Sequence, residues 1–282
     1  MSYVDLLLHI SSYPTPTTDA VIDEAVALAA SLGSKLTGLA TEVEIAVSSN
    51  VMADYLVGVS AMADAVEARS RTSCHDSLAH FTKAATAIGV FQAVSSKRVK
   101  HYAVAESVAT LARTHDLTIV PMVGDVDGQA EVADCVVFKS GRPVLIYRAG
   151  ETAGLSRGPD LVVLAWDGSR SAARAMADAL PFLVRAKRVQ VLTILNEKPD
   201  TETRLGETAQ RHLQMHGVSA TLHEIDASGE KIGAVFDRYI KTHKPDLLVM
   251  GAYGHSRARE FLLGGATAHV LKAPTCPVLL SH

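Results

Sequence analysis

DLLVMGAYGH, residues 246–255, is an apolar run of strand length that breaks into a glycine-spaced loop. Its outline recurs at residues 116–125 as DLTIVPMVGD. The segments downstream of the two copies also match, GRPVLIYR at 141–148 lining up with TCPVLLSH at 275–282. The beginnings agree too, DLLLHI from Asp5 with DLVVLAW from Asp160. Self-similarity on this scale reads as a tandem duplication, with one unit at 1–150, a second at 155–282, and AGETAGLSRGPD at 149–160 joining them. A chain of 282 residues suits two domains, at roughly 100 to 200 residues each.

Each unit alternates strand and helix. LVVLAW is a continuous apolar run, as a parallel strand buried on both faces requires. DGSRSAARAMADAL then places Ala172, Met176 and Leu180 on one helical face, with Ser169 or Ser171 as N-cap. Pro181 interrupts that helix and starts a second short one, PFLVRA. Next come a strand RVQVLTIL, a helix around Leu205, Ala209 and Leu213 that ends at Gly217, and a strand SATLHEID. A helix carrying Ile232, Val235, Phe236, Tyr239 and Ile240 leads to DLLVMG, then a helix near 266–272 and a last strand PVLLSH. In the first half a helix at 18–32 stops at Gly33, a long alanine-rich helix falls within about 60–88, and residues 43–60 read as an added loop or lid. The alternation predicts two tandem doubly wound, Rossmann-like α/β domains with mostly parallel five-stranded sheets and right-handed crossovers.

Composition narrows the function classes. The hydrophobic fraction of 48% and charged fraction of 20% are those of a globular chain. A net charge of −3 gives no general basic field, so neither nucleic acid nor an acidic membrane is an expected partner. Cys74, Cys135 and Cys276 lie far apart without a C-x-x-C pair, which points to a reducing compartment. The amino terminus has no basic leader, and no run approaches the roughly 18 apolar residues of a membrane span, so the cytoplasm is the expected location. The histidines show no metal-ligand spacing.

Ligands of open α/β sheets bind beyond the carboxyl ends of the strands, where strand order reverses. Gly251 and Gly254 belong at that edge. Glycine there lets an anion approach main-chain amides and permits positive φ. Gly264 and Gly265 open the helix ATAHVLK, whose first amides favour negative charge. Glycine after a strand also serves turning alone. The full pattern, G-x-x-G, nine residues, then G, falls on Gly251, Gly254 and Gly264.

With that pattern the second half, from about Asp160 to His282, resembles the universal stress protein family, and the first half looks like a diverged copy, as in its tandem members. The resemblance implies an adenine nucleotide alpha hydrolase-like fold that binds ATP, ADP or AMP, the triphosphate with Mg²⁺. Carried over residue by residue, it implies that the main chain at Ile194 meets the adenine edge, that Asp167 accepts from the ribose, and that Ala165 and Met250 also belong to the nucleotide site. The same comparison puts Gly251, Gly254, Gly264, Gly265, Ala266 and Thr267 around the phosphates. His255, Arg257 and Arg259 lie between the glycine pairs and either add positive charge there or form a solvated loop face. Asp167 equally reads as a helix cap, and Trp166 as a cover for the base or as core. Family members carry Ser or Thr where this chain has Gly265, which removes one hydroxyl and leaves its amide.

The first half lacks the apparatus. Asp167 falls opposite Ser12, Gly251 opposite Pro121, and Gly264 with Gly265 opposite Ala130 and Glu131, while Gly124 survives as the partner of Gly254. No nucleotide of this mode is expected there. Because single-domain family members pair through their last strands, PVLIY and PVLLS are expected to meet across a pseudo-twofold axis, as an intramolecular pseudo-dimer, with a homodimer of whole chains as the further option. No catalytic residue is assigned: a glycine-rich GKS or GKT loop and SGGxDS are both absent, so any ATP hydrolysis should be weak. The expected function is a stress-response protein whose bound adenine nucleotide regulates an unknown protein partner. The alternatives are a slow ATP hydrolase and a structural module that binds a partner or a non-nucleotide ligand.

Overall fold

Alternation along the first strand sets the layers of the molecule. In β1 (Asp5–Ile10) Leu6, Leu8 and Ile10 enter one buried cluster, while Leu7 enters a second cluster on the opposite face of the sheet. The computed structural model describes residues 2–46, 58–124, 126–195, 205–227, 229–252 and 265–282. After β1 come α1 (Asp19–Leu32), β2 (Lys35–Glu44), α2 (Val59–Ala87), β3 (Phe91–Lys100), α3 (Val104–Ala112), β4 (Leu117–Pro121), α4 (Val126–Lys139) and β5 (Val144–Tyr147). A short helix α5 (Ala153–Arg157) leads to the second series: β6 (Leu161–Ala165), α6 (Arg170–Asp178), α7 (Leu180–Leu183), β7 (Arg188–Leu195) and α8 (Leu205–Met215). The chain closes with β8 (Ala220–Asp226), α9 (Ile232–His243), β9 (Leu247–Gly251), α10 (Ala266–Lys272) and β10 (Val278–Ser281).

The ten strands make one sheet in the order β3-β2-β1-β4-β5-β10-β9-β6-β7-β8. Each half contributes the same five-strand parallel order, and the repeat extends to single side chains. Asp116 Oδ2 accepts from the amides of Val4 and Asp5 at 2.8 and 3.1 Å, and Asp246 Oδ2 accepts from those of Asp160 and Leu161 at 2.7 and 3.0 Å. In both halves an aspartate just before the fourth strand therefore ties off the first. The two five-stranded sheets join into a continuous one through the expected meeting of the last strands, because β5 and β10 pair antiparallel with Leu279 opposite Leu145. That pairing covers two edges that would otherwise present unpaired backbone. Both cores cross the seam.

Local signals act as their chemistry requires. Gly33 closes α1 at φ +69, donating its amide to the carbonyls of Ala29 and Ala30. Ser169, rather than Ser171, is the N-cap of α6, its hydroxyl accepting from the Ala172 amide. Pro181 sits in the first turn of α7. The joining stretch is packed rather than loose: Leu155 is fully buried, and Glu24 of α1 accepts from Gly150 N–H at 2.7 Å and from the Thr152 hydroxyl at 3.2 Å. Of the expected lid at 43–60, Val43 and Glu44 end β2 and residues 59–60 begin α2, while 47–57 lie outside the described residues. The three cysteines are buried and free. No described helix is long and apolar enough to cross a membrane.

Candidate functional site

In the second half β6 lies between β7 and β9, so the chain leaves β6 toward one side and later returns on the other. The carboxyl ends of β6 and β9 flank this reversal. Ala165 ends β6 half-buried, and Asp167 follows it into solvent. The Asp167 carboxylate accepts from the Ser169 amide at 3.0 Å, and the Ser169 hydroxyl from the Ala172 amide at 3.1 Å. Asp167 thus holds the turn into α6 and still presents an exposed carboxylate at the strand end. Ile194 is half-buried near the end of β7, opposite Ile225 of β8. Met250 is buried, pairing with Leu280.

Gly251 has a different role from the expected one. Its φ is not positive, and a Cβ built on it would lie 2.5 Å from the Ala172 amide nitrogen and 2.5 Å from the Ser171 carbonyl carbon. The space that a side chain would fill holds the first turn of α6 rather than an approach for an anion. Backbone cannot move aside as a flexible side chain can, so Gly251→Ala is expected to cost about 1 to 3 kcal/mol. Urea denaturation without any nucleotide measures it, and an unchanged midpoint would show that α6 does not rest on β9.

Trp166 is core, not a lid over a base. It is 9% exposed within the cluster on the Leu6 side of the sheet, and its indole N–H donates to the Leu205 carbonyl at 3.0 Å. Gly265 is the N-cap of α10, with its carbonyl accepting from His269 N–H at 3.1 Å. Ala266 is half-buried, but Thr267 is only 3% exposed, so its side chain does not replace the family hydroxyl at the surface. Gly254, His255, Arg257, Arg259 and Gly264 lie outside the described residues.

Two polar groups at this edge escape the motif. Thr193 Oγ1 on β7 and Ser281 Oγ on β10 are buried without a hydrogen-bond partner, and Ser281 pairs in register with Gly251. Their signal in the sequence is a lone hydroxyl residue late in an apolar strand. In the first half, the residue opposite Asp167 is drawn into the interior. The Ser12 hydroxyl donates to the Thr41 carbonyl at 2.6 Å and contacts the Ser70 hydroxyl at 2.7 Å, which accepts from the Val43 amide. Pro121 ends β4 without an amide to donate, and Glu131 is exposed on α4.

Comparison with known proteins agrees with this fold. Residues 158–282 match the model of the universal stress protein family. A universal stress protein of Synechocystis sp. is 32% identical over 121 residues, a match spanning 42% of this chain and 41% of that protein. A universal stress protein from Archaeoglobus fulgidus superposes with a TM-score of 0.71 at 12% identity, covering 98% of this chain and 95% of the other. A putative universal stress protein from Pseudomonas aeruginosa gives 0.53 at 16% identity, over 99% and 93%. At such identities these two structures establish the fold of the whole chain, whereas the sequence match is confined to the second half. Residues 158–282 therefore form a domain that matches the universal stress protein family, carried in a chain that builds its α/β fold twice.

Proposed function

We propose that the carboxy-terminal domain binds an adenine nucleotide, ATP, ADP or AMP with Mg²⁺ accompanying the triphosphate, and that occupancy regulates a protein partner in a cytoplasmic stress response. The observation that carries this reading is the exposed carboxylate of Asp167 at the carboxyl end of β6, beside the strand-order reversal, in a domain that matches the family. A carboxylate accepts two hydroxyl donors side by side, as a ribose offers. The half-buried strand ends at Ala165 and Ile194 supply main-chain groups for a base, and the spaced glycines Gly254 and Gly264 support a phosphate-binding loop. Hydrolysis needs a positioned water and a base or metal. Among the described residues Asp167 is the acid just after β6 to test for that role, and turnover is expected to be slow. The amino-terminal domain, with Ser12, Pro121 and Glu131 in the corresponding positions, takes no nucleotide in this mode.

Thermal unfolding tests the proposal. Nucleotide at about 100 times its Kd should add roughly 2.7 kcal/mol of stability. Asp167→Asn keeps an acceptor for the Ser169 amide and removes the charge, so it should weaken binding by about tenfold or more, the worth of a hydrogen bond to a charged group. Gly251 variants are unsuitable here because they disturb the α6 contact. A melting curve indifferent to ATP and AMP at millimolar concentration defeats the reading.

A further inference from the structure

His9 is the last residue but one of β1 and lies on the Leu7 face of the strand, toward α3 and α4. It is 3% exposed, and both ring nitrogens are without a hydrogen-bond partner. Gln129 of α4 is 2% exposed, and its Oε1 is also unpartnered. Both side chains belong to the wall of one cavity of about 60 Å³ at the carboxyl ends of β1 and β2. Val104 and Val132 give that wall apolar surface, and His101 and Glu131, both exposed, stand at its rim. Buried polar atoms are almost always paired, and an unpaired one is destabilising. Three on two neighbouring side chains of one cavity wall call for a guest.

The lining chooses the guest. Among the described residues no lysine or arginine lines it, and Glu131 is the one carboxylate that does, so it does not attract phosphate. Among the described residues no cluster of three metal-ligating side chains exists. Burial lowers the His9 pKa to about 4, which keeps the imidazole neutral, with one N–H donor and one acceptor nitrogen. Gln129 Oε1 adds a second acceptor. The complement is a compact neutral group with two N–H donors and one carbonyl. The terminal torsions of histidine and glutamine are broad and roughly two-fold, so both side chains can turn these atoms into the cavity. The volume suits a few heavy atoms.

We propose that the amino-terminal domain binds a small neutral molecule bearing a primary carboxamide, held in this cavity between His9 and Gln129. The site is independent of nucleotide binding in the other half, and it lies in the domain whose glycine motif has been lost.

Titration of the full chain with propionamide tests this, following the histidine ring nitrogens by NMR. The His9 resonances are expected to shift saturably, while inorganic phosphate and AMP leave them in place. Gln129→Leu removes one acceptor and should weaken binding about tenfold, the worth of one hydrogen bond. His9→Leu should abolish the saturation transfer from protein to propionamide. If His9→Leu fails to fold, Gln129→Leu alone decides. Unmoved His9 resonances in the wild type, equal affinity in Gln129→Leu, or a shift produced by phosphate instead would each overturn the proposal.

Discussion

Leu279→Ala is expected to destabilise the protein by about 2 to 5 kcal/mol, the range for emptying a leucine site in a packed core. Leu279 is wholly buried and faces Leu145, also wholly buried, across the only antiparallel pairing of described strands in the sheet. Against a total stability of about 5 to 15 kcal/mol, one such substitution at the seam is severe. Leu145→Ala should cost a similar amount. Because the two side chains share one site, the double variant should differ from the sum of the singles by about 0.5 to 3 kcal/mol. Denaturation followed by both far-ultraviolet circular dichroism and the fluorescence of Trp166, the single tryptophan, adds a second readout. Trp166 reports the carboxy-terminal domain, whereas dichroism reports both. Coincident transitions are expected, since both cores run through the seam. Two separate transitions, with additive energies, would mean that the halves are stable without each other.

That seam was legible in the sequence only by resemblance, since nothing in PVLIY or PVLLS states a partner. Elements with strong local logic were plainer. RVQVLTIL is β7 residue for residue, because an apolar run bounded by polar residues has few other uses in a parallel sheet. The helix of residues 232–243 follows from five apolar side chains on one face, of which Val235, Phe236, Tyr239 and Ile240 are buried. In contrast, β3 leaves no local signature. Its ten residues are mostly exposed, carry Lys97, Arg98 and Lys100, and are strand because β2 offers an edge. The site divides similarly. A glycine announces a missing Cβ without saying what fills its place, and at Gly251 the answer is the backbone of Ser171 and Ala172. Trp166 is ambiguous for the same reason, as aromatic surface packs equally on a base or a core. His9, Thr193 and Ser281 each stand as one polar residue near the end of an apolar strand, and only the fold shows that their polar atoms are unpaired.

His9 should make the protein acid-sensitive well above the range where carboxylates titrate. Burial lowers its pKa from 6.5 to about 4. In the unfolded chain the imidazole takes a proton near 6.5, so between these two values the unfolded state binds more protons than the folded one. Stability is therefore complete above pH 6.5 and falls as the pH drops toward 4, by about 2 kcal/mol at pH 5 and about 3 kcal/mol in full. The other titratable groups on the cavity are Tyr13, His101 and Glu131, which are half-buried or exposed. His9→Leu removes the titrating group and the unpaired nitrogens together. Its stability advantage over wild type should widen by about 2 kcal/mol between pH 7 and pH 5, read as the difference between paired urea titrations. The subtraction cancels the carboxylates common to both proteins. A constant difference across that interval would mean that protons reach His9 in the folded state, and that its burial is relieved by an opening of the wall between β1 and α4.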